Sequence, residues 1–407
     1  MQSKMGEKNN IPQIRFKGFA ENWKITKLNN ISDIIGGGTP STNVPEYWDG
    51  DIDWYSPTEI GDKVFATGSV KKITSLGLEK SSAKILPKRK TVLFTSRAGI
   101  GDMAILNKDG ATNQGFQSLV LKNGIEPYFI YTAGHLIKKY ALKHASGSTF
   151  LEVSGKQLGE MNLLIPTECE QYHIGSYFQN LDKLITLQQQ KHDKLVTLKK
   201  AMLDKMFPKE GADVPEIRFK GFAGVWEERK LGEISESYSG GTPSVGISEF
   251  YNGNIPFIRS AEINCNSTEL YITELGLRNS SAKLVNGGCI LYALYGATSG
   301  EVGRSKLEGA INQAILAIKP STGIDAEFIT QWLRKKKKVI ISTYLQGGQG
   351  NLSGSIVKNL NINLPCFEEQ SQIGSYFQNL DKLISLHQQE IQKLKNIKKA
   401  CLEKMFV

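Results

Sequence analysis

A long internal duplication constrains the fold of this 407-residue chain more than any other sequence feature. The twelve residues IGSYFQNLDKLI at 174–185 recur unchanged at 373–384, and KAMLDKMF at 200–207 is matched by KACLEKMF at 399–406. Such self-similarity indicates a repeated structural unit. A solenoid would need more and shorter repeats, so the sequence predicts two copies of one scaffold.

Further repeats lie upstream of each duplicated segment. The sequence IRFKGFA, followed by a tryptophan, begins at Ile14 and again at Ile217, and the pentapeptide GGTPS begins at Gly37 and at Gly240. Between these anchors the halves diverge, since KRKTVLFTSR at 88–97 corresponds to NGGCILYALY at 286–295. Two separately tuned binding domains on matched supports fit this pattern.

Each duplicated segment is predicted to form one long helix, over about 170–207 and 369–406. Apolar residues of the first copy recur every three or four positions, as in a coiled-coil seam: Ile174, Phe178, Leu181, Ile185, Leu195, Leu198 and Met202. A helix of this length spans about 54 Å. We expect the two helices to pair antiparallel, with a pseudo-twofold axis; the alternative is that each packs only on its own domain.

The segments between the helices are predicted to be mixed α/β domains. Strand-like runs such as 91–94 and 116–121 alternate with turn clusters, and one amphipathic helix is expected near 127–144 and another near 326–344. Each domain ends in a strand that runs into a proline. The predicted organisation is a first domain, a central helix, a second domain and a C-terminal helix, with bounds 1–167, 168–208, 209–365 and 366–407.

Composition excludes several classes of protein. Hydrophobic residues make up 40% of the chain, and no run approaches the roughly 18 apolar residues of a membrane span. The polar N-terminus lacks the apolar core of a signal peptide, so we expect a cytoplasmic protein. The five cysteines form no Cys-x-x-Cys pair, and Cys169 with His173 would supply only two ligands, so we expect no metal site. The net charge of +10 permits a polyanionic partner.

Motifs of catalysis are missing from the sequence. It has no Gly-x-x-x-x-Gly-Lys-Ser/Thr phosphate loop, no Asn-Pro-Pro-aromatic tetrapeptide of adenine methyltransferases, no His-Glu-x-x-His and no Gly-x-Ser-x-Gly. We therefore expect no catalytic residue and no cofactor in this chain. Any chemistry would belong to another subunit.

The ordered pattern resembles a known family. A domain that opens with a tryptophan, continues through GGTPS and an internal Asn-Gln, and leaves through a strand and proline into a helix with YFQNLDKLI is similar to a type I target-recognition domain. The order domain–helix–domain–helix resembles the specificity subunit of type I restriction–modification systems. The resemblance covers residues 12–407.

The resemblance implies a non-catalytic DNA-recognition subunit. Each target-recognition domain would read one half of a bipartite, asymmetric sequence in double-stranded DNA, and the paired helices would set the spacing and dock two methyltransferase subunits. Those subunits would bring S-adenosylmethionine and methylate adenine, and motor–nuclease subunits would add ATP- and Mg-dependent cleavage. Independently, two unlike heads on a rigid support can select two half-sites at fixed spacing.

Candidate DNA contacts are side chains suited to base edges or phosphates. Arg97, in the divergent segment, is the best candidate for base reading in the first domain. Its counterpart in the second domain is Tyr295, with Arg259 and Arg304 as the nearby basic options; a solvated surface role is the alternative for each arginine. The remaining candidates are shared or basic positions, each with a structural alternative (tight turn, buried hydrogen bond or solvated helix): Thr39, Ser41, Lys88, Arg89, Asn113, Gln114, Thr242, Ser244, Asn312, Gln313, Lys335 and Lys336. For the two Asn-Gln pairs a buried hydrogen-bonding role is favoured.

Other functions stay open at this stage. A stand-alone DNA-binding regulator would bind a specific sequence tightly without partners, and an enzyme with an unrecognised site would show turnover alone. Within the same family, the near-identical helices would also suit an orphan or phase-variable subunit. The target, its gap length, the choice between restriction and methylation alone, and the role of the glycine-rich stretches at 147–149 and 347–350 are not readable from the sequence.

Overall fold

The computed structural model describes residues 10–61, 63–97, 99–147, 151–345 and 351–407. The chain divides into two compact units. The first contains the described residues up to Gln188 together with Glu390–Val407, and the second contains Gln189–Gln389. Each unit therefore holds one of the two divergent segments and a part of each duplicated helix. The predicted bounds at 167, 208 and 365 stay a prediction.

The first unit is a mixed α/β structure. Its strands are β1 (Lys24–Lys27), β2 (Ser32–Gly36), β3 (Trp48–Tyr55), β4 (Phe65–Ala66), β5 (Lys71–Ile73), β6 (Thr91–Phe94), β7 (Met103–Leu106), β8 (Gly110–Thr112), β9 (Gln117–Leu121) and β10 (Asn162–Ile165). Its helices are α1 (Leu28–Ile31), α2 (Ser75–Glu79), α3 (Pro127–Thr132), α4 (Gly134–His144), α5 (Gly155–Gly159) and the start of α6 (Glu168–Lys205), with 3-10 turns at Pro45–Tyr47 and Pro57–Glu59.

Three sheets organise this unit. A five-stranded sheet has the order β2-β9-β6-β7-β4, a three-stranded sheet has the order β5-β3-β8, and β1 pairs with β10. Strand β6 is buried along its whole length, as expected for a central strand without polar alternation. The antiparallel β1–β10 pair matches Lys24 with Ile165, so the chain returns to its entry point before α6 begins.

The second unit repeats this plan. Its strands are β11 (Glu227–Lys230), β12 (Ser235–Ser239), β13 (Tyr251–Ile258), β14 (Tyr271–Ile272), β15 (Lys283–Val285), β16 (Ile290–Ala293), β17 (Val302–Arg304), β18 (Gly309–Ile311), β19 (Ile315–Pro320) and β20 (Asn361–Leu364). They form sheets of order β12-β19-β16-β17, β14-β13-β18-β15 and β11-β20. The helices are α7 (Glu274–Arg278), α8 (Ala326–Tyr344), α9 (Gly354–Lys358) and α10 (Phe367–Lys404), with 3-10 turns at Leu231–Glu233, Ser248–Phe250 and Ser260–Glu262.

The long helices α6 and α10 run for 38 residues each, and the predicted ends lie two residues too late. Within the first unit they pack antiparallel, because Tyr177 contacts Cys401 while Asp182, further along α6, contacts Lys398, earlier in α10. This confirms the predicted antiparallel pairing within that unit. In the second unit the equivalent positions Lys199 and Asp381 form the same ion pair.

The residues after each long helix fill the hydrophobic core of a unit. In the second unit the Phe207 ring lies 6.2 Å from Trp226, 5.0 Å from Phe328 and 6.1 Å from Phe377. In the first unit Phe406 takes the same place, with its ring 6.1 Å from Trp23, 5.5 Å from Phe129 and 6.3 Å from Phe178. Each long helix ends just before its phenylalanine because the phenylalanine side chain is buried in the core.

One predicted helix is divided in two. The stretch 127–144 forms α3 and α4 with a break at Ala133, whereas 326–344 is the single helix α8, as predicted. At the break the backbone of Gly134 approaches Met103 of β7 so closely that a Cβ on Gly134 would lie 2.5 Å from the Met103 sulfur.

Among the described residues no helix is long and apolar enough to span a membrane.

Candidate nucleic-acid interface

The GGTPS sequence forms a turn pressed against the end of a neighbouring strand. A Cβ on Gly37 would lie 2.1 Å from the carbonyl oxygen of Asn113, and one on Gly240 would lie 1.8 Å from that of Ile311, so only glycine permits this approach. The N–H of Gly38 donates to the Thr112 carbonyl at 2.9 Å. The backbone of the turn is therefore engaged within the fold, and what the turn presents outward are its hydroxyls.

The threonine of each turn is bonded to the glutamine of the Asn-Gln pair. The Thr39 hydroxyl donates to the side-chain oxygen of Gln114, and the Thr242 hydroxyl donates to that of Gln313. All four side chains are exposed. We call these the threonine–glutamine pairs. Ser41 and Ser244, two residues further along each turn, are also exposed.

The asparagines beside these glutamines have a different role. The side-chain oxygen of Asn113 accepts from the N–H of Gly115 at 2.8 Å, and that of Asn312 accepts from the N–H of Ala314 at 3.1 Å. Both asparagines are partly buried and hold the turn that leads into β9 or β19. The expectation of a structural hydrogen bond thus describes the asparagines, whereas the glutamines point to solvent.

The divergent segments lie next to the threonine–glutamine pairs. The N–H of Ser96 donates to the Gly115 carbonyl at 2.8 Å, and the N–H of Leu294 donates to the Ala314 carbonyl at 2.8 Å. Arg97 and Tyr295 follow directly, and both are partly buried. Burial raises the pKa of Tyr295, while a hydrogen bond with the Gln313 side chain opposes the rise. In each unit, the threonine, the glutamine and the residue of the divergent segment therefore lie next to one another, although they come from separate parts of the sequence.

Lys88 and Arg89 lie in the turn that enters β6, away from the Gln114 end of β9. The Lys88 N–H donates to Asp109 at 2.7 Å, and the Arg89 N–H donates to the Leu106 carbonyl at 2.7 Å. Arg89 has a φ of 58°, in the left-handed region that a turn requires. Both side chains are exposed.

Arg259 is held by carboxylates of its own unit. Its guanidinium lies 2.9 Å from Glu262 and 2.6 Å from Glu269. Burial of Glu262 raises the pKa of its carboxyl, but the hydrogen bonds from Arg259 and the backbone outweigh burial and lower it to about 2. The Glu262 side chain also accepts from the Arg259 N–H and closes the 3-10 turn. This geometry favours a structural role for Arg259.

Two of the remaining basic candidates, Arg304 and Lys335, also make polar contacts within their own unit. Arg304 donates to the Gly288 carbonyl at 2.6 Å and lies 3.5 Å from Glu327. The Lys335 ammonium lies 3.1 Å from the Phe207 carbonyl, just beyond the end of α6, and burial lowers the pKa of Lys335 to about 8. Lys336, the next residue of α8, lines a cavity of about 520 Å³.

The repeated IRFKGFA sequence contains a contact that the sequence reasoning did not assign. Arg15 binds Glu170 through two parallel contacts of 2.7 Å, and Arg218 binds Glu369 in the same way at 2.7 Å. Both glutamates are fully buried near the start of a long helix. The signal was present in the sequence, because both partners recur in the duplication.

The described residues contain no group of three or more His, Cys, Asp or Glu side chains placed to share a metal ion. The Cys169 sulfur and His173 Nδ1 lie 3.9 Å apart on one face of α6. The glycine-rich positions 148–149 and 347–350 lie outside the described residues.

Comparisons with known proteins agree with this architecture. The model of the family described as "Type I restriction modification DNA specificity domain" matches residues 20–197 and 224–396. The MjaIX type I specificity subunit of Methanocaldococcus jannaschii is 29% identical, over 95% of this chain and 93% of that protein. The EcoR124I/EcoR124II specificity subunit of Escherichia coli is 29% identical over 43% of each chain.

A solved structure shows the same fold. The crystal structure of a type I restriction–modification S subunit from M. genitalium superposes with a TM-score of 0.62 at 15% identity, covering 98% of this chain and 99% of that one. The family model covers both copies of the duplicated scaffold, one in each half of the sequence. The chain therefore belongs to the type I restriction–modification DNA specificity family, whose members are the non-catalytic subunits that select the DNA sequence.

Proposed function

We propose that each unit reads one half of a bipartite, asymmetric DNA target through its threonine–glutamine pair and the adjoining divergent loop. The observation that carries this proposal is a hydrogen bond kept in both units, Thr39–Gln114 and Thr242–Gln313, beside side chains that differ. A shared contact at two different half-sites positions the protein, and the unlike neighbours Arg97 and Tyr295 distinguish the bases.

The chemistry of these groups fits that division. A threonine hydroxyl that holds the glutamine oxygen directs the amide N–H groups of Gln114 outward, where they suit a phosphate oxygen or a base acceptor. Arginine pairs with guanine through two hydrogen bonds in the major groove, which tyrosine cannot reproduce. Arg97 and Tyr295 would thus give the two units different preferences.

The proposed partners are two methyltransferase subunits and the motor–nuclease subunits. Equivalent leucines on the long helices are exposed in both units: Leu184 (47%), Leu187 (43%), Leu383 (44%) and Leu386 (47%). Exposed apolar side chains at matched positions suit one identical partner for each unit. S-adenosylmethionine, ATP and Mg would be held by these partners, and the assembly would act in the cytoplasm, where its DNA target lies.

The test is to express the chain with its methyltransferase and map modified adenines in the host DNA. Replacing Arg97 with alanine should relax the bases of one half of the methylated motif and leave the other half unchanged. Tyr295→Ala should do the reverse. Lys122→Ala, an exposed change just beyond the far end of β9, is the matched control and should alter neither half. Loss of selectivity in both halves from either single change would contradict the assignment.

A further inference from the structure

Asp182 lies where three elements of the first unit meet. Its carboxylate accepts from the Tyr128 hydroxyl of α3 at 2.8 Å and pairs with Lys398 of α10 at 2.5 Å. The aspartate itself belongs to α6, and its side chain is only 14% exposed. One side chain thus joins the recognition domain to both long helices.

Asp381 occupies the equivalent place in the second unit. It pairs with Lys199 at 2.5 Å, and it accepts from two residues of α8, Arg334 at 2.9 Å and Gln331 at 3.0 Å. Asp381 and Asp182 are the same position of the twelve-residue repeat, and Lys199 and Lys398 are likewise equivalent. The helix side of the junction is therefore conserved between the units, whereas the domain side is individual.

The other contacts between domain and helix include the partly buried Arg15–Glu170 and Arg218–Glu369 pairs near the start of each helix, followed by apolar packing further along it. Ile174, Phe178 and Leu181 are buried against the core of the first unit, as their equivalents are in the second. Apolar burial is non-directional, so it holds two surfaces together without fixing a small rotation between them. Charge-assisted hydrogen bonds have a preferred distance and angle, so they restrict the rotation between the two surfaces.

We propose that Asp182 and Asp381 are positioning residues that fix the orientation of each recognition domain on the helices and thereby set the gap between the two half-sites. This inference rests on the proposed reading of a bipartite target. One base pair of DNA changes the separation of two half-sites by roughly 3.4 Å and their relative rotation by roughly 35°. A change of orientation on this scale, shared between the two junctions, would alter which gap is accepted.

The experiment compares methylation of target sites with the native gap and with gaps one base pair shorter and longer. The wild-type complex with its methyltransferase should methylate only the native gap. Asp182→Asn keeps the shape but removes the negative charge that pairs with Lys398 and strengthens the bond from the Tyr128 hydroxyl of the domain, so the preference for the native gap should fall by about tenfold, as expected for one charge-assisted hydrogen bond. The base identities within each half-site should stay the same, which separates positioning from base reading.

Two further variants keep the test decisive. Tyr128→Phe removes a single hydroxyl and should widen gap tolerance even if Asp182→Asn does not assemble. Asp193→Asn, on the same helix but 63% exposed and bonded to its neighbours His192 and Gln189, is the control and should keep the native gap. An unchanged gap profile in Asp182→Asn and Tyr128→Phe would overturn the inference. If the wild-type complex methylated no bipartite motif, the proposed function would fail instead.

Discussion

Gln114 and Gln313 are exposed, bonded to a threonine, and present in both units beside unlike neighbours. Under the proposed function the same amide would face two different half-sites, so we expect it to contribute affinity without selecting bases. Its effect on binding should therefore be independent of sequence.

Gln114→Ala should weaken binding of the assembled complex to cognate and unrelated DNA by the same factor. Loss of one neutral hydrogen bond corresponds to about 1 kcal/mol, or roughly fivefold in Kd. Fluorescence anisotropy at one fixed salt concentration measures both DNAs. Gln190→Ala, an exposed glutamine on α6, is the control. A change in preference at one base position would show that Gln114 reads sequence.

The Glu262 carboxyl makes the stability of the folded protein depend on pH. Its carboxyl has a folded-state pKa of about 2, below its ordinary value of 4.5, so the folded state releases this proton more readily than the unfolded state does. The resulting stability is present above pH 4.5 and is lost as the pH falls towards 2. Urea unfolding at pH 6, 4 and 3 should show a smaller loss of stability in Glu262→Gln than in the wild type. Equal losses of stability with falling pH in the wild type and in Glu262→Gln would contradict the claim that the contact with Arg259 lowers the pKa of Glu262.

The residue scale also shows what the sequence cannot reveal. The Asn-Gln pairs were visible as repeats, but exposure separates the two members: Asn113 bonds Gly115 inside a turn, and Gln114 faces solvent. Arg259 was a candidate for base reading on residue type alone. Its two carboxylate partners lie three and ten residues away, and only folding reveals that both reach the guanidinium.

At the scale of elements, the residues that follow each long helix anchor a unit. Phe207 is 1% exposed among three aromatic rings, and Phe406 occupies the same position in the other unit. The helix therefore ends where a large side chain must enter the core. Spacing predicted both helices, but it placed their ends two residues late because this turn into the core is a tertiary effect.

Phe207→Ala should destabilise the second unit by about 3–5 kcal/mol, since it leaves a cavity among aromatic side chains that cannot collapse fully. Chemical denaturation followed by tryptophan fluorescence reports on it, because Trp226 contacts the Phe207 ring. Tyr172→Ala, a large aromatic residue of α6 that is 61% exposed, should change stability by less than about 0.5 kcal/mol. Equal losses of stability from Phe207→Ala and Tyr172→Ala would show that the aromatic cluster around Phe207 does not stabilise the second unit.

At the scale of the whole molecule, the duplication determines the organisation. The sequence predicted two matched α/β domains and two long helices, and the sheets β12-β19-β16-β17 and β14-β13-β18-β15 repeat the strand order of the first unit, except that β4 has no counterpart and β15 is added. The contacts that join domain to helix were not predictable in full. Asp182 and Asp381 are identical in the repeat, yet their domain-side partners, Tyr128 in one unit and Arg334 with Gln331 in the other, share no residue type.

The most direct test of the central claim is to map methylated adenines by long-read sequencing in cells that express this chain with its methyltransferase. Two different reading units on one chain predict a single split motif with a constant gap, methylated on opposite strands in its two halves. A continuous motif, or no new methylation despite a stable complex with the methyltransferase, would contradict the claim that each unit reads its own half-site.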